Sequence, residues 1–599
     1  MTSNRSKLSS LYLLACIYRV MNALAIQTQF DADEYWQCLE PAYCLAFSSD
    51  GHGCAFTWEW TRRFEDDGLS GNNTYTSIMH ALKGPVRSFL PVLPTYALYV
   101  VAKWFRFDTP WIVSRGPLVL NAILVAAPTD LAVVSIARWV TKDHVISKPQ
   151  LSFFRNELSS VQWWVLIASF TSWFNGYALI RTYSNSMESM LLAVGLAFLC
   201  PELAGSTPQY FRFKPASALA FILGGMSLCV RFTAIAAWVP IGLLCCIPKK
   251  SLRDKAYTLF VLCAAFGIVG LLIGMFVDRI FYGFWAIPFL GSFHFNVILG
   301  KGSLYGAHHA LWYFFAGIPA ISGALLPLFV LDSAMAIAEK GNRAKSRQIL
   351  VIIVISYVAL HSFSAHKEFR FILPVLPLIC ILSGHALAAY VIPRIDNLGS
   401  ANTIRWRRFW LCYAPLIILN YPHLWFLISI HQRGSIEINR TILARIQQLE
   451  GRKEIQTSRH SSYYNIHYFL GCHATPLYSH LHLPNVNIDA WTLDCSPQCR
   501  SDPNLECESD RFQHDPLGFL EEAYVCGDEG MCRDTPDFFV ISGESLSAIV
   551  EQELSNVGLI EYTRVIHEMS SVNFAKDALP SISFRHLVLF QDKNLAVLN

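Results

Sequence analysis

The sequence has few charged residues and lacks the motifs of common soluble enzymes. Asp, Glu, Lys and Arg make up 15% of the 599 residues, against about 25% in an average soluble protein. This scarcity excludes a disordered chain and an ordinary soluble enzyme. The 47 basic residues barely outnumber the 44 acidic ones, which argues against a nucleic-acid partner. A phosphate-binding glycine loop and a Gly-x-Ser-x-Gly sequence are absent, so neither a P-loop nor a serine-hydrolase site is predicted.

Hydrophobic residues, at 53%, gather in long runs. Since a helix needs about 20 residues to cross a bilayer, the runs predict an α-helical polytopic membrane protein with 11 to 13 transmembrane helices. The first run, 9–26, follows basic residues without a clear cleavage site, which predicts a signal anchor with a cytosolic N-terminus. The other runs are 89–105, 112–127, 161–180, 187–202, 216–230, 233–247, 256–275, 311–331, 348–363, 371–391 and 409–430.

Basic residues cluster in three gaps between these runs, at 249–253, 340–347 and 394–408. The positive-inside rule predicts that all three gaps are cytosolic. The segments that then fall on the opposite side are 27–88, 276–310, 364–370 and everything after 430.

Residues 431–599 have the composition of a soluble domain, with 23 of the 44 acidic and 13 of the 47 basic residues. The sequence therefore predicts a multi-span membrane domain over 1–430, in which 27–88 is the first luminal loop. A C-terminal luminal α/β domain is predicted over 431–599.

Cysteines and sequons indicate the compartment. Eleven of the 17 cysteines lie in the hydrophobic body, where a thiol behaves as a small hydrophobic group. The tail contains an even number of cysteines, which favours disulfides and therefore an oxidising compartment. A zinc knuckle is the alternative. Asn72 and Asn439 lie in Asn-x-Ser/Thr sequons on the non-cytosolic side and are candidate glycosylation sites. Together these features favour the lumen of the endoplasmic reticulum or the cell exterior for the non-cytosolic side. The six tail cysteines are Cys472, Cys495, Cys499, Cys507, Cys526 and Cys532.

The first luminal loop begins with three carboxylates in four residues, Asp31, Asp33 and Glu34. Carboxylates at a membrane face are costly unless they hold a cation, a proton or a substrate hydroxyl. An ionised Asp33 or Glu34 is a natural general base for a sugar hydroxyl. The alternative is a helix cap formed by Asp31 or Asp33.

Aromatic residues flank another acid in the same loop, at Trp58, Glu59 and Trp60. Tryptophan rings beside a carboxylate are suited to sugar binding. An interfacial aromatic belt is the alternative interpretation.

Basic residues stand on the predicted luminal side at His366, Lys367 and Arg370, and also at Arg181 and Arg231. Positive charge is disfavoured there, so the pattern predicts an anionic ligand such as a phosphate. Snorkelling to lipid headgroups is the alternative.

Together these motifs resemble glycosyltransferase family 22, the lipid-sugar-dependent mannosyltransferases with the GT-C fold. The family has Pro-Asp-Glu in its first luminal loop, where this chain has Ala32, Asp33 and Glu34. Another matching motif spans 366–371, with Phe369 where the family has a second Glu. Other matching stretches are 57–60, 181–186 and 231–233. Three further stretches, 278–308, 431–434 and 472–480, resemble the branch that adds the third mannose to the glycosylphosphatidylinositol (GPI) anchor precursor.

The resemblance implies an inverting transfer of mannose from dolichyl-phosphate-mannose to a two-mannose GPI precursor through an α-1,2 linkage. Asp33, with Glu34 as second candidate, would be the base. His366, Lys367 and Arg370, with Arg231, would stabilise the leaving phosphate, so neither a metal nor a cofactor is expected.

Three alternatives remain open at this point. A sister enzyme of the family would act on the fourth GPI mannose or on the dolichol-linked N-glycan precursor. A lipid transporter or scramblase would need charges inside its spans and internal inverted repeats. A non-catalytic subunit of a GPI-processing complex would have lost Asp33.

Overall fold

The computed structural model of the chain divides into two units. The helical unit comprises 1–24, 60–91 and 118–424, and the tail unit comprises 25–59, 92–117 and 425–599. The tail unit thus includes two segments that the sequence placed in the membrane domain. The described residues are 2–48, 53–61, 84–141, 159–204, 215–339, 344–396, 401–456, 462–501, 505–524, 533–573 and 581–596.

Apolar helices dominate the first two thirds of the chain, as the runs predict. Within the described residues, six helices have the length and composition to cross a membrane, and three apolar helices are shorter. The predicted total of 11 to 13 spans stays a prediction. The six are Pro110–Thr141, Ser184–Leu203, Leu252–Tyr282, Tyr313–Ala338, Phe369–Ile395 and Trp406–Arg452, and the shorter ones are Ser9–Ala25, Pro215–Val230 and Phe232–Cys246. Other helices are Glu40–Phe47, Leu93–Trp104, Ser160–Thr171 and Lys345–Ser362.

A buried ion pair holds two helices of the helical unit together. Arg19 Nε and Nη2 donate to the carboxylate of Asp130 at 2.7 and 2.8 Å, and Ser169 Oγ donates to the same carboxylate at 2.6 Å. The Arg19 and Asp130 side chains are fully buried. Their geometry is the bidentate fork that guanidinium and carboxylate favour.

Replacing Arg19 by Leu is expected to lower the free energy of unfolding by about 3–5 kcal/mol, because Asp130 is left as an uncompensated buried charge. The double variant Arg19→Leu/Asp130→Leu should recover most of that loss. Denaturant unfolding in detergent micelles measures both. Equal losses in the single and double variants would show that the pair matters through shape rather than charge.

The tail unit contains a five-stranded mixed sheet in the order β2-β1-β3-β5-β4. Strand β1 pairs in parallel with β2 and β3, whereas β5 pairs antiparallel with β3 and β4. The α/β character predicted for the tail is therefore confirmed. The strands are β1 (Ser462–Phe469), β2 (Val486–Thr492), β3 (Phe538–Ser542), β4 (Leu559–Asn573) and β5 (Ser581–Asp592).

Both faces of this sheet are covered, because alternate side chains of a strand point to opposite faces. Tyr464 and Ile466 of β1 join a core cluster with apolar residues of the helix Gly434–Gln456. Phe469 joins a second cluster. That cluster is completed by residues of the helices Glu508–His514, Pro516–Tyr524 and Ala548–Asn556.

Four of the six tail cysteines form disulfides, as the sequence predicts. Cys472 pairs with Cys495, and Cys499 pairs with Cys507. Two cysteines of the body, Cys44 and Cys54, also form a disulfide, so their interpretation as small hydrophobic groups was wrong. Cys526 and Cys532 lie outside the described residues.

The structure argues against the zinc alternative. Among the described residues, one group could hold a metal ion, and its two cysteines are not available as zinc ligands. Cys472, His473 and Cys495 bring ligand atoms within 4.8 Å of one another. Zinc binds cysteine as thiolate, and both cysteine sulfurs are already joined in a disulfide.

The structure argues against Asn439 as a glycosylation site. This residue lies in the helix Gly434–Gln456 and is fully buried. Its amide nitrogen, where a glycan would be attached, donates to Pro476 O at 2.6 Å, and its oxygen accepts from Tyr468 at 2.7 Å. Asn72, the other candidate, lies outside the described residues.

Thr441→Ala, which removes the sequon of Asn439, is therefore expected to leave the electrophoretic mobility of the expressed protein unchanged. Thr441→Ser keeps the sequon and is the matched control. Electrophoresis of both variants, before and after endoglycosidase treatment, tests whether Asn439 carries a glycan. A mobility gain confined to the alanine variant would mean that Asn439 is glycosylated.

Candidate active site

The acidic motif of the first loop begins a helix in the tail unit, which we call the acid helix (33–47). Asp31 Oδ1 accepts the backbone N–H of Asp33 at 3.0 Å, so Asp31 is the residue that caps the helix. A π-helical turn over Tyr35–Leu39 continues into the α-helix Glu40–Phe47. Asp33 remains half-buried, whereas Glu34 is 1% exposed. Access to a substrate hydroxyl therefore favours Asp33 over Glu34 as the base.

The aromatic-acid motif forms a short turn over Trp58–Trp60. Gln37 of the acid helix donates to Glu59 Oε1 at 3.4 Å, which places Glu59 beside that helix. Trp58 is half-buried. Trp60 belongs to the helical unit, where it is buried with its ring 4.6 Å from that of Phe89, as a core residue would be.

Two of the predicted phosphate-binding residues, Arg231 and Arg370, converge in the helical unit. Their guanidinium groups lie 4.9 and 5.6 Å from the centre of the Phe371 ring. Arg370 also lies 5.5 Å from the Tyr183 ring. A third arginine, Arg87, is close enough to act electrostatically on Arg231.

A buried glutamate positions one of these arginines. Glu188 Oε2 lies 3.3 Å from Arg231 Nε, and Glu188 Oε1 accepts from the Tyr357 hydroxyl at 2.8 Å. Ser184 and Asn185 accept from Arg231 at 3.4 Å. Glu188 was not among the residues predicted from the sequence, although an acid inside an apolar run is the pattern that marks functional residues in membrane proteins.

The loop before Phe369 holds a second charged cluster around Glu368. This carboxylate accepts from His366 Nε2 at 2.7 Å and from Arg370 Nε. Burial opposes ionisation of Glu368, but Arg370 and His366 hold the pKa of its carboxyl well below the usual value. For His366, burial favours the neutral form, but the hydrogen bond and charge of Glu368 raise the pKa of the imidazole above its usual value.

This pair predicts a pH window for the stability of the loop. The lowered pKa of Glu368 gives stability that is present above pH 4.5 and is lost as the pH falls through that lowered pKa. The raised pKa of His366 gives stability that is complete below pH 6.5 and is lost as the pH rises through the raised pKa. We expect the hydrogen-exchange protection factors of 364–371, which correct the measured rates for the intrinsic rise of amide exchange with pH, to fall as the pH rises through the raised pKa of His366. His366→Gln should abolish that fall. Wild-type protection factors in 364–371 that do not change with pH would contradict this pairing.

The other two predicted phosphate ligands are engaged within the protein. Lys367 is 3% exposed, and its ammonium donates to the carbonyls of His308, at 3.2 Å, and Ser364. Arg181 is fully buried, stacks on the Tyr177 ring at 4.6 Å and donates to Tyr177 O at 3.0 Å. These two residues hold local backbone in place, which leaves Arg231 and Arg370 as the stronger phosphate candidates.

Comparison with known proteins identifies the family. The model of the Alg9-like mannosyltransferase family matches residues 10–65 and 80–482. The chain belongs to this family. It is thus a glycosyltransferase of the mannosyltransferase type, as its motifs predict. The matched ranges include the acid helix and the two converging arginines, Arg231 and Arg370, which we call the arginine cluster.

Curated relatives of this Alg9-like mannosyltransferase cover most of its length. GPI alpha-1,2-mannosyltransferase 3 of Mus musculus is 28% identical over 86% of this chain and 79% of its own length. Mannosyltransferase APTG1 of Arabidopsis thaliana is 28% identical over 86% of this chain and 81% of its own. GPI mannosyltransferase 3 of Yarrowia lipolytica is 27% identical over 85% of this chain and 82% of its own length.

Among solved structures, ArnT from Cupriavidus metallidurans bound to undecaprenyl phosphate resembles this Alg9-like mannosyltransferase in fold. The alignment covers 97% of each chain with a TM-score of 0.51 and 11% identity. The predicted class, a GT-C-type helical membrane protein with a C-terminal α/β region, is confirmed.

Proposed function

We propose that this enzyme transfers mannose from dolichyl-phosphate-mannose to the two-mannose GPI-anchor precursor, forming the α-1,2 linkage of the third mannose. The names of its relatives in mouse and Yarrowia support the pathway and, for mouse, the linkage. Two converging arginines, Arg231 and Arg370, support a donor that carries a phosphate.

The observation that carries the proposal is the convergence of Arg231 and Arg370 around Phe371. Arg87 adds a third positive charge near Arg231, and His366 adds another when protonated. The acids described in this cluster are Glu188 and Glu368. Converging guanidinium groups suit a phosphate, which they bind through paired hydrogen bonds.

The reaction assigned to these residues is a single displacement. Asp33 accepts the proton of the acceptor hydroxyl, whose oxygen forms a bond to the anomeric carbon of mannose. The bond between that carbon and the phosphate oxygen breaks, with inversion, and dolichyl phosphate leaves. Arg231 and Arg370 stabilise the negative charge that develops on the phosphate. Because these cations belong to the chain, we propose that transfer needs neither a metal nor a cofactor.

The location that fits this reaction is the endoplasmic reticulum membrane. We propose a cytosolic N-terminus, with the acid helix and the C-terminal domain in the lumen. The disulfides Cys44–Cys54 and Cys472–Cys495 support a luminal location for these segments, since disulfides persist in oxidising compartments.

Complementation of deficient cells tests the acceptor. Expression in cells that lack the third-mannose enzyme should convert the accumulated two-mannose GPI intermediate to later forms. Cells that lack the fourth-mannose enzyme, and cells that lack the N-glycan enzymes of the family, are the matched controls and should stay deficient. Rescue of a control line alone would replace this proposal by the sister-enzyme function.

A further inference from the structure

One segment of the tail unit, Cys472–His482, contacts the acid helix along its length; we call it the docking loop. Trp36 Nε1 donates to Thr475 O at 3.1 Å. The ring of Trp36 lies 4.3 Å from that of His473, and the ring of Tyr35 lies 5.1 Å from that of His480. The reaction assigned above uses none of these contacts.

Glu40 connects the acid helix to the docking loop most strongly. This carboxylate is fully buried, and it accepts from Ser479 Oγ at 2.6 Å and from the backbone N–H of Leu477 at 3.0 Å. The backbone N–H of Ser479 donates to it as well. Burial raises the pKa of Glu40 to about 7, although these hydrogen bonds oppose the shift. A carboxylate so enclosed by one loop is suited to anchoring rather than to proton transfer with a substrate.

At the other end of the docking loop, His473 lies near the proposed base. Its backbone has φ +52°, a left-handed conformation that is uncommon outside glycine and is retained where the surroundings impose it. The neighbouring Cys472 is fixed by its disulfide to Cys495. Asp33 acts electrostatically on the His473 imidazole, together with Asp494 and Arg500.

We infer that the docking loop is a positioning element for catalysis: Glu40 anchors the acid helix to it, the Cys472–Cys495 disulfide fixes its start, and Asp33 is thereby held in place for proton transfer. The inference rests on the proposed role of Asp33 as base. Its physical basis is that a displacement of about 1 Å in a reacting group can cost about 100-fold in rate. Glu40 is thus a positioning residue that does not contact substrate.

Kinetics of the purified full-length enzyme test the inference through the separate effects on kcat and KM. Glu40→Gln replaces one accepting oxygen by a donor that faces Ser479 and Leu477, and we expect kcat to fall about 10- to 100-fold. The KM for dolichyl-phosphate-mannose should stay within about twofold, because the arginine cluster is untouched. Ser479→Ala removes the 2.6 Å bond to Glu40 and the 3.0 Å contact of Ser479 Oγ with His480 Nδ1, while both backbone N–H donors to Glu40 stay. We expect a smaller loss of the same kind, which keeps the test usable if Glu40→Gln does not fold.

The disulfides provide a matched pair of variants. Cys472→Ser/Cys495→Ser should reduce kcat as Glu40→Gln does, whereas Cys499→Ser/Cys507→Ser removes a disulfide of the same domain outside the docking loop and should keep kcat within about twofold. Equal losses in both pairs would overturn the inference, and so would unchanged kcat in folded Glu40→Gln.

Hydrogen exchange of the acid helix gives a readout that does not depend on the substrate. Glu40→Gln should accelerate exchange over 33–47 with little change over the sheet strands β1 and β3. If the wild type is inactive on the two-mannose acceptor while this local acceleration is seen, the proposed function fails and the anchoring of the acid helix stands. If exchange is unchanged, the positioning role fails whatever the substrate.

Discussion

Asp33→Asn is expected to reduce mannosyl transfer by about 100- to 10,000-fold, the usual contribution of a general base. The variant keeps the size of the side chain and the N–H that Asp31 caps. The protein should therefore fold, bind donor and lose kcat. The measurement is transfer from dolichyl-phosphate-mannose by purified enzyme, with folding checked by thermal unfolding.

Neighbouring acids provide the controls for Asp33. Asp31→Asn alters the cap, and we expect less than about a tenfold loss, since asparagine is also a good N-cap residue. Glu34→Gln changes a buried side chain and should lower the free energy of unfolding. The kcat of the molecules that remain folded should change little. If Glu34→Gln abolishes transfer while Asp33→Asn retains it, the base is Glu34.

Arg370→Gln is expected to lower kcat by about 100- to 1,000-fold, the range seen when one group that stabilises transition-state charge is removed. The guanidinium of Arg370 is buried next to Phe371 and Tyr183, where electrostatic stabilisation is stronger than in water. Steady-state kinetics with varied donor separate a loss in kcat from a loss in KM.

Two further arginine variants make this prediction specific. Arg370→Lys keeps the charge but loses the planar fork, so a partial loss is expected. Arg253→Gln removes an exposed charge of the same unit and should leave transfer unchanged. A wild-type rate for Arg370→Gln, with Glu368 and His366 intact, would remove Arg370 from the phosphate site.

The fold was predictable where it depends on composition and periodicity. Apolar runs predict most of the helices, and the shift to an ordinary composition after residue 430 predicts the α/β region. Contacts between distant parts of the chain were not predictable. Asp130 lies in an apolar run with nothing nearby in sequence that indicates Arg19, and Cys44 and Cys54 pair because the acid helix ends close to the following loop.

The candidate site was predictable in its residue types but not in their burial. Residue type alone leaves Asp33 and Glu34 equivalent, although the family resemblance ranks Asp33 first. The start of the acid helix then separates them into a half-buried and a buried side chain. Likewise, Lys367 has the chemistry of a phosphate ligand, but the fold directs its ammonium to backbone carbonyls. Glu40 could not be singled out, because its partners lie more than 400 residues away in the docking loop.

Transfer by purified wild-type enzyme tests the central claim most directly. The assay contains tritiated dolichyl-phosphate-mannose, the two-mannose GPI acceptor and EDTA. The expected result is a three-mannose product whose new sugar is released by α-1,2-mannosidase, with dolichyl phosphate formed in equal amount and no requirement for metal. Failure of the folded enzyme to use this donor, or transfer from GDP-mannose instead, would contradict the claim that this family member uses a dolichyl-phosphate sugar to extend the GPI precursor.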